Sequence, residues 1–495
     1  MIAFATVRAL RLMATCGKAG NDMIRTWMNP YSFFRRMPDD RDTIFALSSG
    51  PPPAAIAVIR VSGPRAHVAL EKMIGRVPQA RRVTLAKVRD PASGEVIDEG
   101  LALWFPGPKS ETGEDIAELQ VHGGRAVIAA ALKALAGLQG FRLAEPGEFT
   151  RRAFEHGRMD LTAVEGLADL VAAETEAQRK QALRQLGGSI AERAEAWRNS
   201  LIEARALLEA GIDFSDEGDV PKNLARKALA MIRPVADEID RAGRGHGERI
   251  RDGLQVAIAG APNVGKSTLL NRFAKREAAI VSPYAGTTRD VIAVHLDLGG
   301  FPVTVRDTAG IRPTDDPVEQ EGVRRAWQSV TAASLVLWVL DAQEIDSTAI
   351  ASIAAEKRLA HTQVWFVVNK VDLLDANGRK KIEAMFGSPC VRFLASAITG
   401  ESIDTLVEAI GNFAGQFFWS EPVLVTRERH RQMLQTASLA LASAFALDQA
   451  YGSEGREEVI AEQVRMATRA LERLTGRVDV EDVLDVIFRE FCVGK

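Results

Sequence analysis

A chain of 495 residues has room for about three domains. Its 46% hydrophobic and 26% charged content is that of an ordinary globular protein, and a net charge of −3 excludes a global pull toward nucleic acid. The three cysteines (Cys16, Cys390, Cys492) are far apart, which excludes a disulfide framework and a CxxC zinc site; with no apolar run long enough to span a bilayer, a reducing cytoplasm fits.

Residues 1–36 carry Arg8, Arg11, Lys18, Arg25, Arg35 and Arg36 against one acid, Asp22. Such a stretch reads as an organellar presequence or as an extension before a start at Met37, where regular patterning begins and which favours the second reading. From Asp42 short strands are predicted at Ile44–Leu47, Ala54–Val61, Val83–Val88, Val96–Trp104 and Asp115–Val121, with helices at Arg65–Met73 and Arg125–Leu138. That mixture argues for a compact α/β or α+β domain over 38–158. Leu161–Ala210 is rich in Ala, Leu, Glu, Gln and Arg at helical spacing, with few breakers apart from Gly187-Gly188, and predicts a long helical region. A polar loop at Asp213–Asn223, a helix at Leu224–Ala242 and a linker at Gly243–Gly247 follow. Strand and helix then alternate over 251–418, with strands at Leu254–Ala259, Val291–Leu298, Val303–Arg306, Leu335–Leu340, Val364–Val368 and Val391–Leu394, the pattern of a doubly wound sheet. Helices return at Arg427–Tyr451, Glu457–Leu474 and Val480–Phe491. The economical arrangement is an α/β domain inserted into a helical domain made of 159–250 and 419–495.

Gly260-Ala261-Pro262-Asn263-Val264-Gly265-Lys266-Ser267-Thr268 fits G-x-x-x-x-G-K-[ST] between a predicted strand and helix. Its glycines let successive N–H groups turn toward phosphate oxygens, and the helix N-terminus adds partial positive charge. Lys266 can reach the β- and γ-phosphates and Ser267 can ligate Mg²⁺. Gly286-Thr287-Thr288-Arg289-Asp290 lies where a switch loop would supply a second Mg²⁺ hydroxyl. Asp307-Thr308-Ala309-Gly310 ends a strand, so that Asp307 can hold the Mg²⁺ shell and the Gly310 N–H can contact the γ-phosphate. Asn369-Lys370-Val371-Asp372 ends another; the Asp372 carboxylate can accept from guanine's ring N–H and amine, whereas adenine would leave it unpaired. Ser396-Ala397 can back the guanine carbonyl. Four such motifs in order predict GTP binding. Ile311 stands where Ras-like GTPases keep a water-orienting glutamine and cannot serve; Arg312, Asp315, Asp316, Glu319 and Glu321 are the downstream candidates. His122-Gly123-Gly124 resembles an oxyanion loop but has no nucleophile elbow, so it reads as a turn.

Further motifs carry a specific resemblance: DTIFALSSG and IRVSGP near the start, TGED, ELQ and HGG, PGEFTRRAF and MDL, GAPNVGKSTLLN, AIVSPYAGTTRD, DTAGIR and VEQEGV, NKVD, and the terminal FCVGK. From Asp42 to Lys495 the chain resembles the MnmE (TrmE) family of tRNA modification GTPases. The resemblance implies an N-terminal domain that binds tetrahydrofolate and dimerises, a discontinuous helical domain and an inserted Ras-like P-loop GTPase domain. It implies a potassium-dependent GTPase, with K⁺ held by Asn263, Ser282, Tyr284 and Thr287 in place of an arginine finger, Mg²⁺ by Ser267 and Thr288, and Glu319 orienting the water. For folate it implies Arg60, Glu118, Arg158 and Lys495. Arg158 replaces the usual lysine, and Pro52-Pro53-Ala54-Ala55 replaces a turn richer in glycine and arginine. Such charges suit a pterin edge and a glutamate tail. Cys492 reads equally as a thiol near substrate or as a small buried packing residue. The implied partners are tRNA, a second copy of the chain and an FAD-containing MnmG-type subunit in a heterotetramer. The implied reaction places a carboxymethylaminomethyl- or aminomethyl-type group on carbon 5 of the wobble uridine, with the one-carbon unit from tetrahydrofolate. A ribosome-assembly or signalling GTPase, and a nearly inactive scaffold, are the alternatives.

Overall fold

The computed structural model describes residues 42–213, 223–244, 248–276, 278–280, 293–308, 317–360, 362–386, 391–418, 424–451 and 456–478, with 484, 487–488, 491 and 493–494 near the C-terminus. The chain divides into two compact units, one running to Arg158 and rejoined by the chain from Phe488, the other Met159–Ile487.

The first unit is built on a sheet of β1 (Thr43–Leu47), β2 (Ala54–Ser62), β3 (Thr84–Arg89), β4 (Val96–Phe105), β5 (Ile116–Gly123) and β6 (Phe141–Leu143) in the order β3-β4-β5-β2-β1-β6. Every neighbouring pair is antiparallel except β1 with β6. Strand alternation sorts the faces. Ala57, Ile59 and Val61 of β2 bury one face against α1 (Ala66–Ile74) and α2 (Arg125–Ala136), which present Leu70, Met73, Ile128 and Leu135 at helical spacing. Ile44 and Ala46 face the other way, onto Phe149 of α3 (Glu148–Glu155). Neither β6 nor α3 is evident from sequence. The reason for α3 is physical: it buries Glu148, Thr150 and Arg152 beside Phe149, so its buried face does not read as apolar.

The second unit opens with α4 (Leu161–Ala172), α5 (Glu176–Leu186), α6 (Ser189–Asp213) and α7 (Leu224–Gly243). The expected long helical run therefore breaks twice. Thr175 and Gln178 form a reciprocal capping box that starts α5 afresh, and Gly188 at φ +88° supplies the second break. After α8 (Glu248–Asp252) comes the doubly wound sheet: β7 (Leu254–Ala259), β8 (Ala293–Leu298), β9 (Phe301–Asp307), β10 (Leu335–Asp341), β11 (Gln363–Asn369) and β12 (Arg392–Leu394), ordered β12-β11-β10-β7-β9-β8. Only the β8–β9 pair is antiparallel. Leu335, Leu337 and Val339 pack with α9 (Lys266–Ala274) and α13 (Ile403–Phe418). Val336 and Trp338 pack on the opposite face with α10 (Pro317–Ala332), α11 (Ser347–Ala354) and α12 (Ala376–Met385). Burial on both faces explains the near-continuous apolar strands.

Helices α14 (Glu428–Tyr451) and α15 (Glu457–Thr475) return to the helical layer. Trp197, Leu201 and Leu208 of α6, Leu229 and Ile232 of α7, Leu441 of α14 and Leu471 of α15 share one core. Each such buried side chain contributes about 1.5–3 kcal/mol, so helices on either side of the α/β insertion are held together by the hydrophobic effect. The expected helix Val480–Phe491 and the loop Asp213–Asn223 lie largely outside the described residues. From Phe488 the chain belongs to the first unit, whereas the sequence places 419–495 wholly with the helices.

Candidate functional site

The phosphate loop follows β7, a central strand paired with β9 on one side and β10 on the other. Two glycines are forced by close approach. Gly260 has φ +146° and a Cβ there would overlap the Val339 carbonyl; Gly265 has φ +98° and its Cβ would overlap Asn369 Nδ2. Asn263 also sits at positive φ, +64°. The loop delivers Lys266 to the start of α9, where its Nζ donates to the Ala261 carbonyl at 2.8 Å. Burial lowers the Lys266 pKa, and the opposing Asp307 charge only partly restores it. A phosphate anion would supply the stronger partner this desolvated cation lacks.

Ser267 Oγ donates to Asp307 Oδ2 at 2.6 Å, while Asp307 Oδ1 is buried without a hydrogen-bond partner. A hydroxyl and a carboxylate with an orphaned oxygen, beside a phosphate loop, fit a hard divalent cation. Thr308 anchors the strand end through Oγ1, donating to Ile258 O at 2.8 Å. On the base side, buried Asn369 donates from Nδ2 to Val264 O at 2.8 Å and accepts the Ala397 N–H at Oδ1 at 2.9 Å. It thus joins the phosphate loop to the Ser396-Ala397 turn. Lys370, at φ +67°, pairs with Asp341 at 2.6 Å and leaves Asp372 exposed at the end of this loop. The structure therefore brings together Val264, Gly265, Lys266, Ser267, Asp307, Thr308, Asn369, Lys370, Ser396 and Ala397. Ser282, Tyr284, Thr287, Thr288, Ala309, Gly310, Ile311, Arg312, Asp315, Asp316 and the side chain of Glu319 lie outside the described residues. Glu321 is committed elsewhere: hydrogen bonds from Arg324 and Arg325 of its own helix bring its carboxyl down to about 2.

In the first unit, Arg60 and Glu118 are cross-strand partners on β2 and β5, with Arg60 Nε donating to Glu118 at 3.0 Å. Arg60 also pairs with Glu111 at 2.7 Å, and Arg158 Nε donates to the Ser110 carbonyl at 3.1 Å. The loop between β4 and β5 thus binds Arg60 and Arg158, and Arg60 carries Glu118, so three of the four charged residues of the expected folate set are linked; Lys495 and Cys492 lie outside the described residues. Behind them runs a buried chain not evident from sequence. Arg152 donates to Glu114 at 3.1 Å and to Glu148 at 3.0 Å, and Arg142 binds both Glu148 oxygens at 2.6 and 2.8 Å. Burial pushes the Glu148 carboxyl up, but hydrogen bonds from Arg142 and the Glu145 N–H outweigh it and hold it below the usual range. Sequence marks Glu114, Glu148 and Arg152 only inside the TGED and PGEFTRRAF motifs and Arg142 in no motif, without their pairing. The C-terminal tail docks on the same unit: Ser48 Oγ donates to Gly494 O at 2.7 Å, and Val493 bridges to Pro146.

Among the described residues no helix is long and apolar enough to cross a membrane. Comparison with known proteins gives one consistent family. The model of the GTP-binding protein TrmE N-terminus matches residues 43–158, and that of the MnmE helical domain matches 161–492. The tRNA modification GTPase MnmE of Rhodopseudomonas palustris strain BisB18 is 52% identical over 457 residues, 92% of this chain and 99% of that protein. The protein of the same name from Bradyrhizobium sp. strain BTAi1 is 52% identical over 456 residues, 92% and 99% of the two chains. Among solved structures, a single-residue variant of Aquifex aeolicus Era bound to GDP·AlF4⁻ is 28% identical over 37% of this chain and 65% of that one, at a TM-score of 0.27. The chain belongs to the MnmE (TrmE) family of tRNA modification GTPases.

Proposed function

We propose that this GTP hydrolase is potassium-dependent and works as a homodimer with an FAD-containing MnmG-type partner. Its product is an aminomethyl-type substituent on carbon 5 of the tRNA wobble uridine, with the carbon supplied by a tetrahydrofolate derivative in the cytoplasm. The observation that carries the nucleotide half is the Ser267–Asp307 pair with its orphaned carboxylate oxygen at the mouth of the phosphate loop. Lys266 exchanges the Ala261 carbonyl for the β- and γ-phosphate oxygens, and the N–H groups of Val264, Gly265 and Thr268 line the rest of the cradle. Ser267 and Thr288 would hold Mg²⁺, which supplies charge neutralisation on the phosphates when bound. Asn263, Ser282, Tyr284 and Thr287 would hold K⁺ where other GTPases place an arginine. Glu319, in the first turn of α10, orients the attacking water that Ile311 cannot. Asp372 accepts from guanine, while Ser396 and Ala397 face its carbonyl. Support for the folate half comes from Arg60 and Arg158, which both bind the Ser110–Glu111 loop, and from Glu118, which pairs with Arg60. The relatives' description as tRNA modification GTPases supports tRNA as the substrate.

The test is nucleoside analysis of bulk tRNA from cells lacking the gene, complemented with wild type or with Arg60→Ala. The expected result is loss of the C5-substituted wobble uridine, restored by wild type and not by the variant, although purified Arg60→Ala still hydrolyses GTP. Unchanged nucleosides in the deletion strain would overturn the modification reading and favour a switch in ribosome assembly or signalling.

A further inference from the structure

Guanine selectivity depends on two loops that the sheet itself secures poorly. One carries Asp372 after β11, and the other is the 396–402 turn after β12. Strand β12 has three residues and lies at the sheet edge, paired among the described residues only with β11. The 396–402 turn closes on itself through Ser396 N–H to Glu401 O at 3.1 Å and Gly400 N–H to Ser396 O at 2.8 Å. Gly400 holds φ +93° there. At their base the two loops are tied by the Ala397 N–H to Asn369 Oδ1 at 2.9 Å and by the Val371 N–H to Ala395 O at 3.4 Å; farther out, one guanidinium links them. Arg379, on α12, engages both Glu401 oxygens, the Nη2–Oε2 contact being 3.1 Å, and the same Nη2 donates to the Val371 carbonyl at 3.0 Å. Val371 directly precedes Asp372, whose carboxylate adds to the pull of Glu401 on Arg379. From the opposite side Arg272, on the helix that follows the phosphate loop, donates to Ile398 O at 2.7 Å.

We propose that Arg379, through Glu401, is a positioning residue that determines base specificity: it holds the Asp372 loop and the 396–402 turn in mutual register without touching the base. The inference rests on the reading of Asp372 as the guanine acceptor. The Arg379 and Glu401 side chains are 38% and 39% exposed, so their Coulomb attraction alone is weak. The effect arises from geometry: the fork reaches a carboxylate on one loop and a main-chain carbonyl on the other. A lysine, with one nitrogen, cannot span both. A loosened Asp372 loop gives up selectively the contact to guanine's 2-amino group.

Inosine diphosphate lacks that amino group and is therefore the probe. The full-length protein is titrated with GDP and IDP by calorimetry, as wild type, Arg379→Ala, Arg379→Lys, Glu401→Gln and Asp372→Asn. One hydrogen bond to a carboxylate gives wild type a preference for GDP of about 10–100-fold. Arg379→Ala is expected to bring the preference to about threefold or less by weakening GDP more than IDP, with Arg379→Lys and Glu401→Gln in between. Should Arg379→Ala fail to fold, Glu401→Gln, which keeps the side-chain shape, carries the test with the same expected direction. A wild-type GDP:IDP ratio in Arg379→Ala or Glu401→Gln, beside a collapsed ratio in Asp372→Asn, overturns the clamp and leaves the base reading standing. A wild-type ratio in Asp372→Asn overturns both.

Discussion

Replacing Asn369 by alanine should damage the nucleotide site before any nucleotide is present. The side chain is buried, and it satisfies the Val264 carbonyl at 2.8 Å and the Ala397 N–H at 2.9 Å. Both partner residues are themselves buried, so deletion strands one acceptor and one donor in the interior. Each stranded group costs about 1–3 kcal/mol, and partial hydration of the space left behind brings the sum to roughly 2–4 kcal/mol. In an α/β body of this size about 2–4 °C of melting temperature is lost per kcal/mol, so a downward shift of roughly 5–15 °C is expected. The assay is urea and thermal unfolding of the nucleotide-free protein, followed by GDP titration. The phosphate loop and the 396–402 turn no longer share an anchor, so GDP should also stabilise the variant less than wild type at equal concentration. Asn369→Asp should fare no better, since a carboxylate would face the Val264 carbonyl. An Asn369→Ala protein within about 0.5 kcal/mol of wild type, with unchanged GDP affinity, would show that this side chain does not anchor the two loops.

Ser267→Ala removes one ligand of the proposed Mg²⁺ site; the Mg²⁺ concentration giving half-maximal GTP turnover should rise at least about tenfold, with GDP binding in EDTA little changed. Glu148 is nearly enclosed between Arg142 and Arg152, so Glu148→Gln should cost about 3–5 kcal/mol in urea unfolding at pH 7. Its folded carboxyl lies below the unfolded value of about 4.3, so its contribution is complete above that pH and is lost as pH falls through the folded value; wild type should show this acid loss and Glu148→Gln should lack it. Gly494 holds φ +100° and a Cβ there would overlap the Leu47 carbonyl, so Gly494→Ala should release the tail, seen as faster carboxypeptidase trimming at unchanged melting of the helical core.

The phosphate loop was readable because its chemistry demands glycine at Gly260 and Gly265 and a cation at Lys266, at a spacing chance seldom produces. The strands of the doubly wound sheet were readable because burial on both faces leaves Leu335 to Val339 uninterrupted by polar residues. Helix α3 was not, because Glu148 and Arg152 are buried by ion pairing with Arg142 and Glu114, partners that no periodicity reveals. The break before α5 was hidden for a related reason: the Thr175–Gln178 capping box is a local hydrogen-bond exchange within a stretch of strong helix formers. Asn369 was legible as part of a base-recognition motif, but its link to Val264 spans 105 positions and only the fold supplies it. The Arg379–Glu401 pair, 22 positions apart on a helix and a turn, is the same kind of contact.

In the proposed mechanism a monovalent cation and Glu319 together do the work that Ile311 leaves undone. It is tested most directly by GTP turnover of the purified protein in KCl and in NaCl at equal ionic strength, with Glu319→Ala alongside. The expected result is a large rate gain in KCl that Glu319→Ala abolishes while still binding GDP. Equal, slow turnover of wild type in both salts would contradict it.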